Sequence, residues 1–224
     1  MIETKQLVKT FKNGDVVTSV LKGIDFKTRE GEWVAIMGRS GAGKSTFLYQ
    51  MSLLDEPSGG EIVIDGYDTH SMSANQKMLF RLSKFGFVFH DYALLPELTA
   101  LENVALPLLM AGLGKGVAYQ KAVAALERAG LGHRTGNLPS QLSGGEQQRV
   151  SIVRAVAHNP KILFADEPTA NLDNESSARI MEIFKDLHKG GQTIIMVTHE
   201  EQYAKLAQRI VHLDDGRIVS EEKR

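Results

Sequence analysis

The sequence predicts an α/β fold, a mostly parallel sheet flanked by helices, with a small antiparallel β part and an inserted helical subdomain. Three observations carry this. Short apolar runs such as EWVAIM (Glu32–Met37), KILFA (Lys161–Ala165) and TIIMVT (Thr193–Thr198) read as strands buried on both faces. In the outer parts of the chain such runs alternate with helical patterns, as parallel strands joined by crossover helices do. From Ala100 the pattern turns helical for roughly 50 residues, too long for a single crossover and therefore an insertion.

The elements follow in order. Ile2–Val8 reads as a first strand. Val16–Phe26 has mixed alternation and leads to a turn at Glu30 and Gly31. After the strand Glu32–Met37 come glycines and then a helix from Lys44 to about Leu54. In DEPSGGEIVIDGYD, turn signals on both sides of Glu61–Ile64 predict a strand at the edge of the small β part. Ser83–Phe89 is another short strand. The helical stretch breaks at residues 112–116 and 130–139 and ends at Pro160. Lys161–Ala165 is a strand, Ser176–His188 an amphipathic helix, Thr193–Thr198 a strand and Glu200–Ala207 a helix. Arg209–Leu213 reads as the last strand before a DDG turn, and the terminal EEKR as a solvated end. Residues 1–224 are read as one domain, with the helical subdomain inserted over approximately 91–158.

The bulk numbers exclude several functions. Lys plus Arg is 26 and Asp plus Glu 27, a net charge of -1, so no nucleic-acid partner is expected. There is no cysteine, which rules out disulfides, thiolate metal sites and cysteine nucleophiles. The start MIETKQLVKTF lacks the apolar run of a signal peptide. The best apolar stretch, Val104–Leu113, is broken by Pro107 and falls short of the ~18 residues of a membrane span.

GRSGAGKST fits the G-x-x-x-x-G-K-[ST] pattern of a phosphate loop, with a strand before it and a helix after it. That makes the fold a P-loop NTPase. Gly38, Arg39, Ser40, Gly41, Ala42, Gly43, Lys44, Ser45 and Thr46 are its candidate nucleotide-binding residues. Their backbone N–H groups can donate to phosphates, and the following helix turns its positive end to the same anion. Lys44 is expected to reach the β- and γ-phosphates, and Ser45 to place its hydroxyl on Mg²⁺. ILFADEPT puts two carboxylates at the end of a buried strand. Asp166 is the candidate metal partner and Glu167 the candidate base for an attacking water. His199 follows the strand Thr193–Thr198 and is a candidate γ-phosphate contact. LSGGEQQR places Ser143, Gly144 and Gly145 before a helix, a second small anion nest. One nucleotide has one triphosphate, already cradled by Gly38–Thr46. The second nest is therefore read as completing the site of another subunit.

Taken together, these motifs resemble those of the nucleotide-binding subunit of an ATP-binding cassette transporter, over essentially the whole chain. LSGGEQQR is similar to the signature motif, Gly38–Thr46 to the Walker A loop and Ile162–Glu167 to the Walker B strand with its catalytic glutamate. Ala170–Asp173 resembles the loop linking two sites across a dimer, and His199 the switch histidine. Phe11 stands where the family stacks an aromatic ring on adenine. His90, in GFVFHDYALLPELTALENV, stands where the family has glutamine. Weaker coupling, pH-sensitive turnover and inactivation are all open for that substitution, since imidazole is shorter and titrates near neutrality.

The resemblance implies ATP and Mg²⁺, a homodimer in the ATP-bound state, and a separate transmembrane permease subunit on another polypeptide. The protein would then sit at the cytoplasmic face of the cell membrane, held there through the permease. The family's groove for the permease points to Tyr92, Leu94, Leu95 and Leu98. NLPSQLSGGEQQR and LLPELTALENV resemble the branch that serves lipoprotein release, macrolide or peptide export and cell division. The alternatives are an importer ATPase and a soluble non-transport ATPase of the same family.

Overall fold

The computed structural model describes residues 1–224. The strands and helices are β1 (Ile2–Asn13), β2 (Val16–Thr28), β3 (Trp33–Met37), α1 (Lys44–Met51), β4 (Gly59–Ile64), β5 (Tyr67–Asp68), α2 (Ala74–Lys84) and β6 (Phe85–Val88). They continue with α3 (Ala100–Met110), α4 (Lys115–Arg128), α5 (Gly144–Val156), β7 (Ile162–Asp166), α6 (Asn174–Lys189), β8 (Thr193–Val197), α7 (Glu201–Ala204), β9 (Arg209–Asp214) and β10 (Arg217–Lys223). The fold is α/β, with mostly parallel strands and helices, an antiparallel β part and a helical insert. The chain divides into two units, residues 1–81 with 188–224, and residues 82–187.

In the first unit, β3 is the central strand. Trp33, Val34, Ala35 and Ile36 are buried, and both its neighbours, β8 and β9, run parallel to it. A continuous apolar run is what a strand covered on both faces requires. A separate antiparallel sheet has the order β2-β1-β4-β5. β4 therefore lies between β1 and the two-residue β5, one place in from the edge the sequence suggested.

The chain end departs most from expectation. Arg209–Leu213 is not the last strand, because β10 pairs antiparallel with β9 as far as Lys223. The EEKR tail is accordingly more than a solvated end. The Arg209 guanidinium bonds Glu221 at 3.0 Å and Glu32 at 2.8 Å. Burial alone would push the Glu32 pKa up. Hydrogen bonds from Arg209, the Arg29 N–H and Thr28 outweigh it and hold the carboxyl below its usual range.

In the second unit, β6 and β7 pair in parallel and α3, α4 and α5 share one apolar core. Val104, Leu108, Ala118, Ala122, Leu126 and Val150 are fully or almost fully buried in it. A capping box opens α3. Thr99 Oγ1 accepts from the Glu102 N–H at 3.2 Å, and Glu102 accepts from the Thr99 N–H at 2.9 Å. Buried Asn103 donates to the carbonyls of Leu95, Leu98 and Thr99 and accepts from the Leu95 N–H, which fixes the preceding loop. β6 begins two residues later than Ser83, which ends up in α2. No side chain of that helix is fully buried, so its sequence carries no run of core residues to read.

Candidate nucleotide site

The phosphate loop begins where β3 stops. A Cβ on Gly38 would lie 2.1 Å from the Leu213 carbonyl oxygen, so the turn passes too close to β9 for any side chain. Gly43 caps α1 with φ 97° and offers no side chain to the helix N-terminus. The first turn of α1 contains no acidic residue. A helix start without cap or carboxylate suits an external anion. Lys44 is buried, and its ammonium donates to the carbonyls of Gly38 and Arg39 at 3.0 and 3.1 Å. The cation is thus held inside the loop. Phe11 lies in the same unit, on β1 opposite Thr18 of β2, and is 46% exposed. The Lys9 ammonium sits 4.9 Å from its ring centroid. His199 is exposed two residues beyond the buried β8.

The remaining candidates belong to residues 82–187. Asp166 ends β7 and is 3% exposed. Glu167, next in the chain, has φ 46°, a left-handed conformation that a glutamate adopts only where the surroundings impose it. The chain turns there, and the Ala170 N–H donates to the Glu167 carbonyl at 3.1 Å.

Ser143 caps α5. Its hydroxyl accepts from the Glu146 N–H at 3.3 Å and donates to Glu146 Oε2 at 2.9 Å, and its own N–H donates to Oε2 at 2.8 Å. Glu146 Oε1 takes the Arg134 Nε–H at 2.8 Å. The Ser143 backbone bond, more than Arg134, holds the Glu146 pKa below the ordinary range. This capping box uses the N–H of Glu146. Gly144 and Gly145 begin the helix, where N–H groups have no intrahelical acceptor.

His90 is exposed, and its carbonyl accepts from Asn171 Nδ2 at 2.8 Å. Gln148, fully buried on α5, donates to the carbonyls of Phe89 and Pro168 at 3.3 and 2.6 Å. The loop bearing His90 is thereby tied to the turn after Glu167 through backbone carbonyls. Asp173 caps α6, accepting from the Ser176 N–H and hydroxyl, both at 2.8 Å. Sequence reasoning missed Gln148, Asn171 and Arg154, whose guanidinium donates to the carbonyls of Tyr92 and Ala93, as organisers of this region. They bond carbonyls, which leave no trace in residue identity. The polar positions 148, 151 and 154 on one side of α5 were the available signal.

A strand that ends in a glycine loop closing on its own lysine, followed by a helix start free of carboxylates, is the arrangement of a phosphate-loop nucleoside triphosphatase. The chain belongs to the ABC transporter family, whose profile matches residues 21–170. It is 46% identical to the lipoprotein-releasing system ATP-binding protein LolD of Aquifex aeolicus, over 90% of each chain. It is 47% identical to the macrolide export ATP-binding/permease protein MacB of Aggregatibacter actinomycetemcomitans over 99% of its own length. The match spans only 34% of that longer relative. Among solved structures it resembles an ATP-binding cassette captured as a dimer in a post-hydrolysis state with ADP and phosphate. There the TM-score is 0.93 and the identity 41%, over 100% of this chain and 98% of that one. The protein is an ATP-hydrolysing subunit of the transporter family, related to the macrolide-export and lipoprotein-release systems.

Proposed function

We propose that two copies of this chain close head to tail on two ATP molecules and that hydrolysis drives a separate membrane permease. The work would be export or mechanical action on a lipoprotein, peptide or macrolide-like cargo. The observation that carries this is the second nest. Gly144 and Gly145 open α5 with N–H groups for an anion, while a complete phosphate loop exists elsewhere in the chain. A dimer gives each nest a triphosphate, and the related cassette captured with ADP and phosphate is dimeric.

In this reading, residues 38–46 cradle the β- and γ-phosphates, Phe11 stacks on the adenine, and the Ser143–Gly145 nest of the other copy closes over the γ-phosphate. Glu167 accepts the proton of the attacking water, and His199 holds the geometry of that water and the γ-phosphate. Ser45 and Asp166 offer a hydroxyl and a carboxylate, the hard oxygen donors that Mg²⁺ takes alongside nucleotide phosphates. Bound there, Mg²⁺ would neutralise charge on the phosphates. The inserted helical subdomain, approximately 91–158, carries the contact with the permease. Leu95 is 42% exposed on a loop whose backbone Asn103 pins, which suits a docking contact near Tyr92, Leu94 and Leu98. His90 would pass motion between that contact and the catalytic turn. No helix is long and apolar enough to cross a membrane. Association with the cytoplasmic face then runs through the permease.

The test is Glu167→Gln. Turnover should fall by about 10²–10⁴-fold while ATP binding and ATP-driven dimerisation persist. The tagged variant, extracted from native membranes with ATP and Mg²⁺, should bring down a permease with few membrane helices and a large external domain. Near-normal turnover would remove Glu167 from its role. A multi-helix importer permease, or soluble partners alone, would overturn the export reading.

A further inference from the structure

Residues 89–93 join β6 to the docking loop and lie along α5. Tyr92 and Ala93 are consecutive left-handed residues, φ 65° and 48°, and neither is glycine or asparagine. Such a pair persists only where surrounding structure holds it. Arg154, at the far end of α5, supplies the hold. One nitrogen of its guanidinium donates to the Ala93 carbonyl at 2.5 Å and another to the Tyr92 carbonyl at 3.0 Å. The planar fork of arginine suits two acceptors set side by side. Burial pushes the Arg154 pKa down, and Asp91 partly offsets this.

At the other end of α5, the Tyr92 side chain reaches the signature nest. A Cβ on Gly144 would lie 2.9 Å from the Tyr92 hydroxyl oxygen. Between the two ends, Gln148 holds the Phe89 carbonyl. Positions 144, 148 and 154 span about 15 Å of helix at 1.5 Å per residue. The Gln148 and Arg154 hydrogen bonds, with the Tyr92 hydroxyl lying close to Gly144, leave the loop no axis on which to pivot against such a lever. The hydrogen bonds go to backbone carbonyls, so the loop's own side chains, His90 among them, are not constrained by these bonds.

We propose that Tyr92 and Arg154 are positioning residues that make the 89–93 loop and helix α5 one moving piece, so that displacement of the loop repositions the Ser143–Gly145 nest. The inference rests on the reading of that nest as half of the partner copy's ATP site. A push on the docking loop cannot be absorbed locally without breaking two charge-assisted hydrogen bonds. It is passed along α5 to the nest instead. In the reverse direction, ATP capture at the nest sets the loop that meets the permease.

The experiment is a rescue. Gly144→Ala should lower turnover at saturating ATP by about tenfold or more, because its methyl group meets the Tyr92 hydroxyl and shifts the nest. Tyr92→Phe removes only that oxygen and should cost roughly threefold or less. The double variant Gly144→Ala/Tyr92→Phe should return to about the Tyr92→Phe level. A double variant no better than Gly144→Ala would overturn the proposal, since damage to the nest alone cannot be cured at Tyr92. Arg154→Met should lower the maximal rate by about tenfold with ADP binding to the single chain unchanged, and Arg154→Lys should fall between. A fully active Arg154→Met would also overturn it. If Arg154→Met does not fold, the Gly144/Tyr92 pair still decides. A Glu167→Gln chain that fails to dimerise with ATP would sink the sandwich reading itself. Normal dimerisation with no rescue would sink only this inference.

Discussion

The phosphate loop and the signature nest both aim the start of a helix at an anion, yet their surroundings differ. At the phosphate loop the helix has no side-chain cap and no carboxylate in its first turn, and a buried lysine sits inside the loop. At the signature nest a serine caps the helix, a glutamate occupies its first turn, and an arginine neutralises that glutamate. The first arrangement attracts a triphosphate by itself. The second is close to neutral and offers only two N–H groups and a hydroxyl already engaged in its own capping box. It suits an anion that another element delivers. One chain thus carries a strong anion site and a weak one, which fits the proposed pairing of strong with weak across two copies.

The sharpest way to break this comparison is to damage the halves separately. Lys44→Ala should weaken nucleotide binding and turnover together, by about 10²-fold or more. Ser143→Arg should abolish turnover to a similar degree while leaving ADP binding to the single chain intact. Equal loss of single-chain binding in both variants, read by calorimetry, would mean the nest serves its own chain's nucleotide.

A smaller effect comes from the backbone of the strong half. Gly38→Ala should destabilise the fold by about 2–4 kcal/mol, since the new methyl group would overlap the Leu213 carbonyl. A thermal melt indistinguishable from the parent would show that β3 and β9 can part without cost.

The smallest effect is the pH dependence of the weak half. Glu146 has its pKa lowered in the fold, chiefly by the Ser143 N–H. Its ionised form therefore adds stability above the ordinary carboxylate range of about 4.3, and that stability is lost as pH falls through the lowered value. Glu146→Gln keeps an acceptor for the cap but not the charge. Melting curves from neutral pH downward should show a gap between parent and variant that closes under acid. A gap independent of pH would place the stabilisation elsewhere.

What the sequence disclosed followed the same division. The phosphate loop and the β7 carboxylates were legible because their chemistry is contiguous: strand, turn and helix start lie within a dozen letters. LSGGEQQR was legible as a nest but not as the lever it opens, because Gln148 and Arg154 act on carbonyls of residues 89, 92, 93 and 168. The left-handed backbone at Tyr92, Ala93 and Glu167 was hidden for a related reason, since none is a glycine to announce it. β10 was missed because most of its side chains are exposed and charged. Backbone pairing with β9 and the Arg209–Glu221 bridge make it a strand. α2 was missed because none of its side chains is fully buried.

Under the proposed sandwich, each ATP is closed between the phosphate loop of one copy and the signature nest of another. The chain has no cysteine of its own, so introduced thiols report without background. In a Glu167→Gln background, one pool carries Ser40→Cys and a second carries Ser143→Cys. The pools are mixed with and without ATP under mild oxidation. A disulfide between the two different chains should form with ATP and be scarce without it. Linkage indifferent to ATP, or confined to like chains of one pool, would contradict it.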